Sequence, residues 1–379
     1  MTLWPRPVAL CLGLVALAGC SSLGLPFLGP KAPAGEQALR LVEQSDAALA
    51  AGRSAEALEL LQEARDLEGL TTDESNRVEL ALERAADTRI RELSAAGSDA
   101  EDLEELFDLN LPRQLAITAG VRTAKLYLDE GEESDAFQMI QKVDTRYPPA
   151  GTHHERALAG DVLFEAGMGL SRSHFSFLGL FQDRDDAKAI LEYLVQNYPQ
   201  EARCDQAYKR LAKLYENDRL WQEALERHQD LVTYHLDSPL AVESEWKIPH
   251  LRLEAVRRPE YDRRELIRAQ GELDAWLAAH AGHKLEARAL ADRRECARRL
   301  ALSDLSVAHF YSEVDKWDGA LVHAERALAY ARQSGDGETI ARAERALARV
   351  PKGTAEAALA RLRGQGAAQP ARESGEAAP

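Results

Sequence analysis

Apolar residues recur along most of the chain at three- and four-residue intervals, the spacing that gathers them on one face of an α-helix. Tyr208, Leu211, Ala212 and Tyr215 form one such stripe, and Trp221, Ala224 and Leu231 resume it after a short polar break. This order of small and large positions predicts two helices joined by a tight turn. It returns in Ala124, Tyr127, Gly131, Ala136 and Ile140, with Tyr147-Pro148 as the stop. Ala187, Leu191 and Leu194 lead to Tyr198-Pro199, and Val307, Ala308 and Tyr311 precede Trp317, Ala320 and Ala327. Weaker copies surround Ala57, five residues after Gly52, and Ala269 with Leu273 and Trp276.

An Ala or Gly lets two helices approach to about 8 Å, and a Tyr, Leu or Trp one turn away fills the groove beside it. Proline after the second helix stops it, because it lacks the N–H and clashes with the preceding turn. A hairpin apolar on two faces must stack on neighbours. The chain therefore reads as all-α, a tetratricopeptide-like helix-hairpin solenoid whose repeat core includes Tyr127, Ala136, Tyr208, Ala212, Tyr215, Trp221, Ala224, Ala308, Tyr311, Trp317 and Ala320. Trp221 and Trp317 each fall three residues before an anchor Ala, so both rings are expected in the core. Anchor spacing is uneven: Ala57 to Ala136 is 79 residues, Ala136 to Ala187 is 51 and Ala187 to Ala224 is 37. The long intervals are predicted to hold degenerate helices, including Thr72–Leu93 and Asp99–Leu109. Gly167–Asp185 reads as an insertion in which Phe175, Phe177, Leu178, Leu180 and Phe181 crowd together. Such residues avoid water. They plug the groove of the solenoid, extend the preceding helix into the core, or form a partner-docking loop.

The ends of the chain differ from the middle. Met1–Cys20 holds one cation, Arg6, then an apolar run from Val8 to Ala18, then Leu17-Ala18-Gly19-Cys20. The run is too short to span about 30 Å of hydrocarbon as a helix and reads as a cleaved export signal. Residues 20–35 carry several Gly and Pro and read as a flexible tether. Residues 36–150 are expected to form acidic amino-terminal helical repeats, 151–350 the better-defined repeats, and 351–379 a short helix with a disordered tail.

Composition sharpens the picture. Across 379 residues, 47 basic and 63 acidic side chains give a net charge of −16. That excess sits early: about 26 acidic and about 12 basic residues lie between Glu36 and Ala150. An acidic chain argues against nucleic acid as partner and against attachment to a membrane through a basic face. Cys204 and Cys296 are expected to be unpaired helix residues, since nothing in their surroundings suggests a bridge or a metal site. No His-Glu-x-x-His, Gly-x-Ser-x-Gly or phosphate-cradling loop occurs, so no catalytic residue, metal or cofactor is predicted. His280 and His283 read as a solvated loop pair. The Arg-rich stretches Arg252–Arg268 and Arg288–Arg299 are interleaved with acids at helical spacing and read as intrahelical ion pairs.

Two sets of residues carry a family resemblance. Leu17-Ala18-Gly19-Cys20 resembles the bacterial lipobox, which implies acylation of Cys20 and, with Ser21 next, transfer to the periplasmic face of the outer membrane. Asp183-Arg184-Asp185, Leu194-Val195, Tyr198-Pro199, Ala207 and Lys209-Arg210-Leu211 resemble the central repeats of the BamD-like family of outer-membrane assembly lipoproteins. Arg298-Arg299-Leu300-Ala301, then Leu305-Ser306-Val307-Ala308, Phe310-Tyr311 and Trp317, is similar to the entry of that family's fourth repeat. The resemblance implies a non-enzymatic scaffold. Its partners would be the central barrel protein of the assembly machine, its accessory lipoproteins and unfolded outer-membrane protein segments. Where the family commonly has an Arg contacting the barrel protein, this chain has His323, with Arg326 nearby. Candidate partner contacts are thus His323, Arg326 and the aromatic cluster Phe175, Phe177 and Phe181. A periplasmic scaffold for cell-wall or polysaccharide-export machinery would carry the same repeats.

Overall fold

The computed structural model describes residues 33–95, 99–148, 154–172, 180–258 and 262–353. Cys20, Phe175, Phe177, the side chain of Phe181 and the segment after residue 353 lie outside the described residues. Among the described residues the chain is all-α, with fifteen helices and no strand. It divides into two compact units, one ending at Arg89 and the other beginning at Ile90.

The first unit holds α1 (Ala34–Ala50), α2 (Ser54–Arg65) and most of α3 (Thr72–Leu93). Ala38 and Leu41 of α1 pack against Ala64 of α2 and Val78 of α3. Thr71 and Glu74 form a capping box: the Glu74 carboxylate accepts from the Thr71 amide at 2.8 Å, which lowers its pKa.

The second unit holds α4 (Ala100–Asp108), α5 (Arg113–Glu130), α6 (Glu133–Arg146), α7 (His154–Arg172), α8 (Leu180–Asn197), α9 (Cys204–Asn217), α10 (Trp221–Tyr234), α11 (Ala241–Ala255), α12 (Arg263–Ala279), α13 (Glu286–Glu313), α14 (Trp317–Ser334) and α15 (Gly337–Ala348). The helices α5, α7 and α9 pack on one another in succession, as do α11, α13 and α15. Each helix between them packs on the one before and the one after it. This is a stack of helix hairpins. Of the two long intervals of the anchor spacing, the first holds α3 and α4 and the second holds α7, which runs on through Gly167 to Arg172.

Four hairpins, α1–α2, α5–α6, α9–α10 and α13–α14, turn in the same way. One residue adopts the left-handed conformation: Gly52 at φ 73°, Gly131 at 83°, Arg219 at 60° and Asp315 at 55°. The next amide donates to the carbonyl five residues back: Arg53 to Ala48 at 2.9 Å, Glu132 to Tyr127 at 2.8 Å, Leu220 to Tyr215 at 2.9 Å and Lys316 to Tyr311 at 2.9 Å. This is the Schellman arrangement, which satisfies carbonyls left over at a helix end. Five residues past each left-handed position stand Ala57, Ala136, Ala224 and Ala320, all buried. The turn and the small residue together form one unit of geometry.

Between the helices, buried or half-buried carboxylates collect donors from neighbouring elements. Asp144 of α6 accepts from the Tyr193 and Tyr198 hydroxyls at 2.8 and 2.7 Å, and Arg156 of α7 pairs with it at 3.0 Å. Burial, and then the adjacent carboxylate, pushes both phenols up, so they stay protonated as donors. Glu216 of α9 meets Lys247 of α11 at 2.9 Å and His228 of α10 at 3.4 Å, while Ser244 lies 3.1 Å from the other His228 nitrogen. Burial alone would raise the Glu216 pKa, but these donors outweigh it and bring it down to about 2. Burial lowers the His228 pKa, which keeps its ring neutral.

The Arg-rich stretches do not pair only within helices. Arg298 and Arg299 bond Glu295 on their own helix. Arg252, however, reaches Glu265 and Glu272 of α12 at 3.1 and 2.9 Å, Arg263 reaches Asp304 of α13 at 2.8 Å, and Arg293 crosses to Asp274. These long side chains sit where helices cross, so the partner across the crossing competes with the one a turn away. His280 is likewise not simply solvated: its Nε2 lies 2.8 Å from Glu245 of α11. Cys204 and Cys296 are free and buried, and burial pushes their thiols up to about 11 and about 12. They behave as small apolar residues.

Three outcomes follow for stability. Arg219→Gly relieves a left-handed side-chain position, whereas a Cβ on Gly120 would overlap Val143 Cγ2 and come within 2.8 Å of Phe107 Cδ2. Thermal melts should show Arg219→Gly stabilised by about 0.5–1 kcal/mol and Gly120→Ala destabilised by about 1–3 kcal/mol. Because the folded Glu216 pKa is depressed, its contribution is complete above the unfolded value of 4.5 and is lost as pH falls toward about 2. Glu216→Gln should therefore lose less stability than the parent between about pH 5 and about pH 3, measured by urea unfolding. Equal losses would remove this network from the acid response.

Candidate partner-binding groove

At the last two hairpin helices of the second unit the packing leaves an open groove of about 630 Å³ between α13, α14 and α15. Its floor is apolar: Leu302, Leu305 and Ala308 of α13, Trp317 and Ala320 of α14, and Ala346 and Val350 on the α15 side. The Asp315 turn sets this floor. It starts α14 at Trp317, so the indole is held at the first position of the helix, three residues ahead of the buried Ala320. Trp317 is half-buried and packs with Tyr311 and Leu347 around Ala320, Leu321 and Val350.

Sequence spacing on α15 makes one wall cationic. Asp336 caps the helix by accepting from the Thr339 hydroxyl and, at 2.9 Å, from the Thr339 amide, and these hydrogen bonds lower its pKa. Thr339 and Ala343 then face inward, which turns Arg342, Arg345 and Arg349 toward the groove and leaves all three exposed. Among the described residues no carboxylate pairs with any of them. Favourable interaction with the carbonyl end of α15 explains a preference for cations at Arg345 and Arg349, but Arg342 lies a turn earlier. The facing wall, on α13, contributes Ser306, His309 and Ser312. Beside it Phe310 and Val314 are exposed large apolar residues one helical turn apart.

The residues singled out in the sequence are distributed around this groove and away from it. Ala308, Trp317 and Ala320 line it. His323 lies beneath: its Nδ1 is 2.8 Å from Asp304, a buried carboxylate also held by Arg263, and its ring stacks on Tyr311 at 5.7 Å. The Asp304 side of the imidazole is therefore occupied within the chain. Gly319 makes room for this stack, since a Cβ there would meet the Tyr311 ring at 2.8 Å. Arg326 is exposed on α14 and takes no part in the groove lining. Ala136, Tyr208, Ala212 and Ala224 are buried, while Tyr127, Tyr215 and Trp221 are half-buried. Tyr127 and Tyr215 hold equivalent places: each hydroxyl donates to a Glu 23 residues earlier, Glu104 at 2.7 Å and Glu192 at 3.0 Å. Trp246 and Trp276, joined with Leu266, Leu273 and Leu300, are the more deeply buried tryptophans.

The three arginines were not singled out from sequence. Their signal is the i, i+3, i+7 spacing of one cation on one helical face, hidden by Glu338 and Glu344, which suggest intrahelical neutralisation. Among the described residues, no cluster of three or more His, Cys, Asp or Glu side chains could hold a metal ion. The arrangement can bind: an apolar floor for bulky side chains and exposed guanidinium groups for carboxylates.

No protein-family model matches the chain, and no curated protein does. Solved structures do. The apo form of RapI is 11% identical, with 86% of each chain covered and a TM-score of 0.29. A Rap protein complexed with competence and sporulation factor is 13% identical, covering 87% of this chain and 88% of its own, at a TM-score of 0.24. A tetratricopeptide repeat protein from Parabacteroides merdae is 13% identical, covering 82% and 99%, also at 0.24. The helix-hairpin architecture itself rests on the repeated turns and packing described above.

The half-buried Trp317 contributes to the groove more than to the core. Trp317→Ala should cost about 1–2 kcal/mol in urea unfolding, against about 3–5 kcal/mol for Trp246→Ala, whose indole also donates to Asp292 at 3.0 Å. Equal costs would place both rings in the core.

Proposed function

We propose that this chain is a helical-repeat scaffold that binds partner proteins, held by lipid on Cys20 at the periplasmic face of the outer membrane and serving in outer-membrane β-barrel assembly. The observation that carries the scaffold reading is the groove between α13 and α15, an apolar floor beside three exposed arginines that pair with no carboxylate among the described residues. The assembly reading draws on a coincidence of place. The run Arg298–Tyr311, which resembles the BamD-like family, lies on α13, and Leu305, Ser306 and Ala308 within it line the groove. Trp317, the last residue of that resemblance, is also part of the floor. Partners on this reading are the central barrel protein, its accessory lipoproteins and unfolded outer-membrane protein segments.

Membrane attachment falls to the acyl chains on Cys20. Among the described residues no helix is long and apolar enough to cross a membrane, and a net charge of −16 repels anionic head groups. Two or three acyl chains supply enough buried methylenes, at roughly 0.8 kcal/mol each, to hold the protein firmly.

Crosslinking in cell envelopes followed by affinity isolation of the full-length protein tests the reading. A large barrel protein with periplasmic repeats should co-purify, and depletion of the chain should lower many outer-membrane barrels together. Isolation of cell-wall or polysaccharide-export proteins instead, with barrel levels normal, would overturn the assembly role. Cys20→Ser should release the protein from the membrane fraction, and its retention there would remove the lipid anchor.

A further inference from the structure

We propose that the groove between α13 and α15 takes an acidic segment of a partner protein that also carries large apolar side chains. The inference rests on the scaffold reading and names the chemistry of what that scaffold holds. Arg342 and Arg345 of α15 and Arg349 at its C-cap lie along seven residue steps, about 10 Å at 1.5 Å per residue. Their guanidinium groups present planar pairs of donors, and among the described residues no carboxylate answers them. On the opposite wall Ser306, His309 and Ser312 line the groove, and the α13 acid beside them, Glu313, lies 3.7 Å from His309 and does not line it. Donors therefore face one another across an apolar floor that includes Leu305 and Trp317. A segment with carboxylates on one side and Leu or Phe on another satisfies both at once, the acids on α15 and the apolar groups beside the indole.

The charge of the whole chain makes this local patch selective. With a net charge of −16, long-range attraction does not gather anions onto the protein, and an acidic ligand gains only where fixed cations lie within about a Debye length. Arg recognises a carboxylate through paired hydrogen bonds, which a neutral amide cannot reproduce. Loss of the carboxylates should cost at least tenfold in affinity, and the apolar floor should make charge alone insufficient.

Fluorescence anisotropy with the full-length protein tests this. The probe is a fluorescein-labelled peptide of about twelve residues that alternates pairs of Glu with Leu or Phe. It is compared with a version bearing Gln for every Glu, a version bearing Ser for every Leu and Phe, and a single-stranded oligodeoxynucleotide of equal charge. The acidic apolar peptide should bind, and the Gln and Ser versions should each bind at least tenfold more weakly. Joint replacement R342Q, R345Q and R349Q should abolish the preference for Glu over Gln while leaving the melting temperature unchanged, because all three side chains are exposed. The peptide series keeps the test open if that variant fails to fold. No binding by the parent, equal affinity for the Glu and Gln peptides, or tighter binding of the oligonucleotide would overturn the proposal. Partner crosslinking that persists in the triple Arg variant alongside such a result would remove the groove assignment and leave the scaffold reading standing. Loss of partner crosslinking in the parent would remove the scaffold reading itself.

Discussion

The close approach of two helices just after a reversal of the chain is the constraint on which the second unit depends. The reversal needs one left-handed residue, and the approach needs a small residue five positions later. At Gly131, Arg219 and Asp315 the first condition is met, and Ala136, Ala224 and Ala320 meet the second. Because the Schellman amide donates to the carbonyl of Tyr127, Tyr215 or Tyr311, the aromatic residue of the first helix is placed relative to the alanine of the second. The turn thus fixes more than direction. It sets which side chains meet when hairpins stack.

Stacked apolar faces alone would tolerate sliding, since hydrophobic contact is not directional. Carboxylates at the crossings supply direction. Glu104 of α4 meets Tyr127 of α5 and Lys142 of α6, and Glu192 of α8 meets Tyr215 of α9 and Arg227 of α10. Asp144 and Glu216 gather donors from two further elements in the same manner. Removal of one partner from such a buried cluster leaves the others unsatisfied, which is more damaging than the net strength of the pair suggests. In the last hairpin the place of Arg227, six residues after the helix-leading Trp, is taken by His323, which turns to Asp304 of α13. Both donor and acid differ there, for Asp304 stands on the first helix of the same hairpin whereas Glu192 stands on α8, the helix before the α9–α10 hairpin.

How much of this was legible in the sequence follows from how local each cause is. Alanine and glycine at fixed spacing were readable, because helix approach and left-handed turns depend on residue size within one hairpin. Thr72–Leu93 stands as a helix with the predicted bounds, and Asp99 caps Ala100–Asp108. The left-handed positions at Arg219 and Asp315 carry no glycine and left no trace of their conformation. The arginines of α11 and α12 were assigned to their own helices by spacing, whereas Arg252 and Arg263 cross to neighbours. A partner one turn away is visible in a sequence. A partner across a helix crossing is visible only when the packing is known. The groove was hidden for the same reason: Trp317 and Ala320 were read as core, and only the placement of α15 shows that they also floor an open site.

That placement gives the three arginines their meaning. At other crossings of the second unit a cation from one helix meets an acid from another, as Lys247 meets Glu216 and Arg263 meets Asp304. Between α13 and α15 the rule fails, for the α15 wall presents guanidinium groups and the α13 wall presents hydroxyls and an imidazole. Of the two acids of α13 that flank this wall, Asp304 is buried and already engaged by Arg263 and His323, and Glu313 stands exposed 3.7 Å from His309. Among the described residues no carboxylate pairs with the α15 wall, and its three guanidinium groups stand exposed. Arg is weakly hydrated for a cation, so exchange of its water for a carboxylate costs less than it would for Lys. Among the described residues this junction lacks the acid that the others have, and that gap is the basis on which we propose an acid supplied from another chain.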